Sequence, residues 1–180
     1  MALLSLAIGS FGIGMTEFVA MGLLPDIARD VMPAMWGSSQ EDALGKAGWL
    51  ISLYALGVVV GAPTIAGLAA KYPRHRVMVV LALALTVFNA LTVVLPTFEL
   101  IGVSRFLAGL PHGAYFGLGA LVAAEVMGPG NRAKGVAFIL TGLTLANVVG
   151  VPLGTFLGQQ WGWRTAFLVV TIVFALATIA

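Results

Sequence analysis

Three stretches of this chain run without a charged residue for long enough to cross a membrane. Residues 47–70 lie between Lys46 and Lys71, residues 77–98 between Arg76 and Glu99, and residues 135–163 between Lys134 and Arg164. A bilayer core of about 30 Å is crossed by about 20 apolar residues in helical form. With the apolar segments around them, these stretches predict helices over residues 2–24, 47–70, 76–96, 98–126, 132–157 and 163–180. The expected fold is all-α, a bundle of six transmembrane helices over 1–180. Pro25 and Asp26 close the first helix, and residues 25–46 form the longest connection, expected as an external loop with a partial turn.

Composition narrows the class further. Hydrophobic residues are 60% of the chain, charged residues 9%, and mean hydropathy is +1.05. An average soluble domain is about a quarter charged, so a soluble fold could bury one such helix but not several in succession. The absence of cysteine leaves no disulfide framework and no thiolate metal site. The basic residues are scattered over several connections and form no patch, which excludes a nucleic-acid partner. The first apolar stretch has no basic start and holds Glu17, so it is a membrane helix and not a signal peptide.

Lys and Arg in short connections orient the bundle. Lys71, Arg74 and Arg76 lie between helices two and three, and Arg132 and Lys134 between helices four and five; Arg29, Lys46 and Arg164 lie on the other side, with most of the acids. The N-terminus and the two-three and four-five connections are therefore expected in the cytoplasm. Trp36, Trp49, Trp161 and Trp163 fall at the external interface, as an aromatic belt would.

A weak internal repeat links helices two and five. YALGVVVGAP (residues 54–63) and LTLANVVGVP (residues 143–152) match at five of ten positions, Leu56, Val59, Val60, Gly61 and Pro63 against Leu145, Val148, Val149, Gly150 and Pro152. The two helices run in opposite directions, as an inverted three-helix repeat requires.

The polar residues within the helices carry the candidate chemistry. Arg105 in helix four costs about 3 kcal/mol to insert, so it faces a cavity or a partner, or snorkels to the nearby interface. Glu17 lies at a similar depth in helix one, about 10 Å from the external end. A carboxylate beside an arginine there either is poised to take up and release a proton or forms a static ion pair or a solvated cavity wall, and the two are expected to pair. His112 is about two turns deeper than Arg105 and either lines the cavity or bonds across helices; one histidine makes no metal site. Glu125 is expected near Arg132 or Lys134. Gly150, Gly154 and Gly158 recur every four residues on one face of helix five, beside Pro152, which removes a backbone hydrogen bond. Such a helix packs closely and can pivot. No phosphate-binding loop, zinc spacing or Ser-His-Asp arrangement is visible, so an enzyme is not expected.

These segments resemble the N-terminal half of the major facilitator superfamily, in particular its drug:proton antiporters of the chloramphenicol-resistance and arabinose-efflux type. Helix one reads FGIGMTEFVAMGLLPDIA (residues 11–28), helix four SRFLAGLPHGAYFGLG (residues 104–119) and helix five LTGLTLANVVGVPLGTFLG (residues 140–158). The two-three connection, with Gly67, Lys71, Arg74 and Arg76, sits where the superfamily has Gly-x-x-x-Asp-Arg-x-Gly-Arg-Arg; Lys71 replaces the aspartate and Arg74 the following glycine, so the charge latch built on that aspartate does not carry over. The resemblance implies two inverted three-helix repeats in each half of a twelve-helix transporter in the inner (plasma) membrane, with the C-terminal half absent from this chain. It implies export of a small amphipathic molecule, an antibiotic such as chloramphenicol or a sugar, in exchange for protons, with the proton gradient in place of any cofactor. Glu17 and Arg105 are implicated in proton coupling, and Gly150, Pro152, Gly154 and Gly158 in bending helix five and sealing against leak. The rival classes are a non-transporting membrane scaffold and a uniporter.

Overall fold

A computed structural model describes residues 2–180. Among them every regular element is helical: α1 (Ala2–Gly22), α2 (Leu24–Val31), α3 (Pro33–Ser38), α4 (Gln40–Ala47), α5 (Trp49–Ala69), α6 (Arg74–Val94), α7 (Phe98–Met127), α8 (Arg132–Leu145), a π-helical turn (Ala146–Gly150), α9 (Val151–Trp161) and α10 (Trp163–Ile179). Five helical stretches are long and apolar enough to cross a membrane, and α10, with 17 residues, is shorter. The all-α class and the half-bundle architecture expected from the sequence both hold.

The polypeptide between α1 and α5 is more ordered than an external loop with a partial turn. It forms three short helices. Pro25 and Pro33 sit in the first turns of α2 and α3, where the missing N–H costs nothing. Ser39 caps α4 by accepting a hydrogen bond from the Asp42 N–H at 3.2 Å. Ala28, Met32, Ala43 and Ala47 then close a small apolar cluster of their own, with Trp36 half-buried against it. Small apolar residues at helical spacing, rather than turn residues, are what made this segment a cap.

In the bundle, α7 packs on α5, α6 and α8, and α1 packs on α8 and α10. Half of the apolar window of α1 and of α7 is buried, against 22% for α5 and for the helix formed by α8, the π turn and α9. The first pair is therefore central, and the second flanks it.

The two flanking helices are the ones that share the internal repeat, and they stand alike in space. Val59 and Val148 are 69% and 68% exposed, Leu56 and Leu145 are 51% and 55% exposed, and Gly61 and Gly150 are both buried. A Cβ at Gly61 would overlap the Leu110 backbone of α7; one at Gly150 would meet Phe11 and Met15 of α1, at 2.8 and 2.9 Å. So α5 leans on α7 as helix five leans on α1, the relation an inverted repeat demands.

The two copies differ at their prolines. Pro63 sits inside a regular α5. Pro152 follows the π turn Ala146–Gly150, which closes with the Val151 N–H on the Ala146 carbonyl. A proline lacks the N–H its helix needs and crowds the carbonyl one turn back, and a wider turn relieves both faults. Gly162, at φ +92°, then turns the chain from α9 into α10 with no intervening loop.

Candidate functional site

Arg105 is the most informative side chain in the bundle. It is 2% exposed, so it does not snorkel. Its Nη1 donates to Thr16 Oγ1 at 2.8 Å and its Nη2 to the Thr16 carbonyl at 2.9 Å. The guanidinium lies 4.2 Å from the Tyr54 ring centroid and 5.2 Å from that of Phe167. Hydrogen bonds to a charged group contribute about 1.5–3 kcal/mol each, and a desolvated cation over a ring about 2 kcal/mol. These contacts offset an insertion cost of about 3 kcal/mol or more, so the arginine is held by specific partners in the bundle.

The expected ion pair does not form. Among the described residues no carboxylate lies within ion-pair distance of Arg105; the three pairs are Asp26–Arg29, Arg74–Glu125 and Asp30–Arg164. The chain neighbour of Glu17 takes the guanidinium instead. Successive helical residues point about 100° apart, and it is Thr16, fully buried, that faces α7. Glu17 is half-buried beside it and within electrostatic reach of Arg105 and Tyr54.

Behind Arg105 lies a polar layer that the sequence reading did not single out. The Thr16 hydroxyl donates to Asn89 Oδ1 at 2.6 Å, and Asn89 Nδ2 donates to the Leu85 carbonyl at 2.8 Å. Thr92 and Ser104 share a hydrogen bond at 2.9 Å. The Arg105–Thr16–Asn89 chain thus ties α1, α6 and α7, and the Thr92–Ser104 pair adds a second link between α6 and α7. An asparagine within the apolar run of helix three was the available signal, since polar side chains in membrane helices find partners across helices.

His112 lies on the Arg105 stripe, as its spacing predicts, and both meet Tyr54. Its Nδ1 is 2.9 Å from the Tyr54 hydroxyl, and its ring is 5.7 Å from that of Phe116. The structure thus gives it a bond across helices. Tyr54 was not among the expected residues either; it belongs to the repeat segment of α5, where the apolar neighbours mask it.

The glycines of helix five share one face, which lies on α1. A Cβ at Gly154 would stand 2.8 Å from Val19, and one at Gly158 would collide with the Leu23 side chain. Pro152 points outward, exposed. At the far end, Gly67, Lys71 and Arg76 are exposed, and Gly67 has open space around it. Arg74 pairs with Glu125 at the end of α7, which corrects the expectation that Glu125 would face Arg132 or Lys134. Arg74 is brought there because α6 starts at the same end of the bundle where α7 stops.

At the α2–α4 end, Arg164 gathers three elements. It pairs with Asp30, donates from Nε to the Val93 carbonyl at 3.1 Å and from Nη2 to the Leu95 carbonyl at 3.4 Å. Trp163 is 3% exposed and donates its indole N–H to Asp30 Oδ2 at 2.9 Å, so it is a core residue and no part of an aromatic belt. Trp49 and Trp161 are exposed, as a belt requires. Burial pushes the Asp30 carboxyl up, but the bonds from Trp163 and Arg164 and the charges of Arg164 and Arg29 outweigh it and hold the group below the usual aspartate range.

Comparison with known proteins agrees with this architecture. The family model described as Major Facilitator Superfamily matches residues 6–180. The chain is 40% identical over 170 residues to the putative transporter AraJ of Escherichia coli (strain K12), covering 94% of this chain and 41% of that protein. It is 46% identical over 166 residues to the inner membrane transport protein YdhP of the same strain, covering 92% of this chain and 40% of that protein. A chloramphenicol resistance protein of Streptomyces lividans is 32% identical over 167 residues, covering 93% of this chain and 40% of that protein. The chain thus spans about two fifths of the length of these relatives. Among solved structures, the proton:xylose symporter XylE superposes with a TM-score of 0.83 at 16% identity, over 99% of this chain and 43% of that one. The human organic anion transporter MFSD10 superposes with a TM-score of 0.76 at 17% identity, over 99% of this chain and 45% of that one.

Proposed function

Because this chain belongs to the Major Facilitator Superfamily, we propose that it forms one half of a proton-coupled exporter of small amphipathic molecules. The cargo is an antibiotic of the chloramphenicol type, the class named for the Streptomyces lividans relative, or a sugar. A second six-helix half closes the cavity, and the two halves rock to open it to either side in turn. The bundle sits in the inner membrane with the N-terminus and the Lys71–Arg76 connection in the cytoplasm, by the balance of Lys and Arg between the two sides. No cofactor is needed, since the proton gradient supplies the work.

One observation carries this proposal: Arg105 is a buried cation with no carboxylate bound to it, and a half-buried carboxyl, Glu17, sits one residue from its anchor. With Thr16 holding the guanidinium, Glu17 stays free to gain and lose a proton. Ionised, it is drawn towards Arg105; protonated, it is released. A proton thereby biases the face that α1 presents, and cargo competes for the same face. The glycine face of helix five against α1, with the π turn before Pro152, supplies a place for the flanking helix to bend.

The test is transport by the protein as its native gene encodes it, in everted membrane vesicles energised by a proton gradient. Chloramphenicol accumulates, and an uncoupler abolishes the accumulation. Flux that persists with the uncoupler makes the protein a uniporter, and no flux for any of a panel of drugs and sugars makes it a membrane scaffold.

A further inference from the structure

His112 and Tyr54 are joined in a way that proton coupling does not require. The imidazole is 8% exposed, and its Nδ1 is committed to the Tyr54 hydroxyl at 2.9 Å. Its Nε2 has no hydrogen-bond partner among the described residues, and it is not sealed off either: the sealed polar side-chain atoms without a partner are Ser10 Oγ and Arg105 Nε. One ring nitrogen is therefore spoken for and the other is without a partner; half-buried Phe116 stands edge-on to the ring at 5.7 Å.

Which proton the open nitrogen bears follows from the neighbour of Tyr54. A neutral imidazole has one donor nitrogen and one acceptor, and the partner of one nitrogen decides the state of the other. The Arg105 guanidinium lies 4.2 Å from the Tyr54 ring centroid. A cation over a phenol ring draws electron density from its oxygen. The hydroxyl becomes the stronger donor and the weaker acceptor, so Tyr54 O–H donates to Nδ1 and the ring proton goes to Nε2. The charged groups around the ring agree. Arg105 lies on the same helix as His112 and bonds to Thr16, and Glu17 of α1 makes no bond to His112.

We infer that Tyr54 is a positioning residue that fixes His112 as an Nε2–H donor, a site for a neutral hydrogen-bond acceptor on the cargo, such as a carbonyl, nitro or ether oxygen. The cargo assignment rests on the exporter proposed above; the fixed tautomer does not. Arg105 thus has two effects through one ring: it anchors on Thr16, and through Tyr54 it sets what His112 offers.

The test is nitrogen NMR of the protein as its native gene encodes it, in lipid nanodiscs, with the His112 resonances identified by their loss in His112→Gln. The expected His112 signals have Nδ1 in the pyridine range and Nε2 in the pyrrole range. Tyr54→Phe keeps the ring under Arg105 and removes the hydroxyl, so both resonances move towards the average of the two tautomers. A proton on Nδ1 in the parent chain overturns the inference, and so does a Tyr54→Phe spectrum identical to the parent. Chloramphenicol then serves as the acceptor probe: a saturable downfield shift of the Nε2 proton is expected, and saturable shifts elsewhere with that proton unmoved overturn the cargo role. Loss of uncoupler-sensitive transport would sink the exporter and leave the tautomer standing, so the two failures are told apart.

Discussion

Arg105 and Thr16 hold each other at two points, the guanidinium meeting both the hydroxyl and the carbonyl of the threonine, and the neighbouring Glu17 takes no part in the bond. The arginine is the stator of the proposed machine, and the carboxyl beside it is the part that is free to change. Stability and coupling then reside on adjacent residues of one helix.

Thr16→Val removes the hydroxyl that links Arg105 to Asn89 while keeping the shape. It leaves a buried charge and a buried amide each short of a partner, at a cost of about 2 kcal/mol. The expected outcome is a lower unfolding midpoint in an SDS titration, largely restored by Thr16→Ser. Glu17→Gln shifts the same midpoint by less than about 0.5 kcal/mol, since no bond in the bundle depends on it.

The glycine contacts of the two repeat copies are not equal. A Cβ at Gly61 runs into the Leu110 backbone, which cannot move without moving α7; at Gly150 it meets side-chain atoms only, the end of the Phe11 ring and Met15 Cγ, which have rotamers to yield. Overpacking a rigid contact costs about 1–3 kcal/mol, and a contact that yields costs less. Gly61→Ala is expected to lower the thermal midpoint in detergent more than Gly150→Ala does, and comparison of the two melts checks it.

The Asp30–Arg164 pair gives a pH dependence with a definite sign. The folded-state carboxyl lies below the ordinary value, so its contribution is present above the unfolded aspartate pKa of about 3.9. It is lost as pH falls through the depressed folded value. Unfolding followed from pH 6 to pH 2 should show this extra acid sensitivity in the parent and less of it in Asp30→Asn. Both side chains are partly exposed, so the difference shrinks in high salt.

Much of this fold was legible because lipid imposes a simple rule on composition: charge-free runs of sufficient length become spans. The repeat in helices two and five was legible for the same reason, since matched valines at matched exposure reflect one packing problem solved twice. The cap over residues 25–46 was not, because its alanines and methionines bury in a small cluster between three short helices and leave no long period to read. In the site, Arg105 and Glu17 stood out as charges in apolar helices, but spacing along a helix gives depth and not azimuth. It could not say that Thr16 rather than Glu17 turns towards α7. Thr16, Asn89 and Tyr54 were hidden because each is an unremarkable residue until its partner is known. Glu125 was expected near Arg132 or Lys134 because they follow it in the chain, but Arg74, from the start of α6, is the residue that pairs with it.

The division between stator and switch is tested most directly by proton release on binding. The protein as its native gene encodes it is held in weakly buffered detergent with a pH-sensitive dye, and chloramphenicol is added. The parent is expected to release protons in proportion to bound drug, and Glu17→Gln to bind with no release while Thr16→Val, though less stable, still releases them. Undiminished proton release from Glu17→Gln would contradict the assignment.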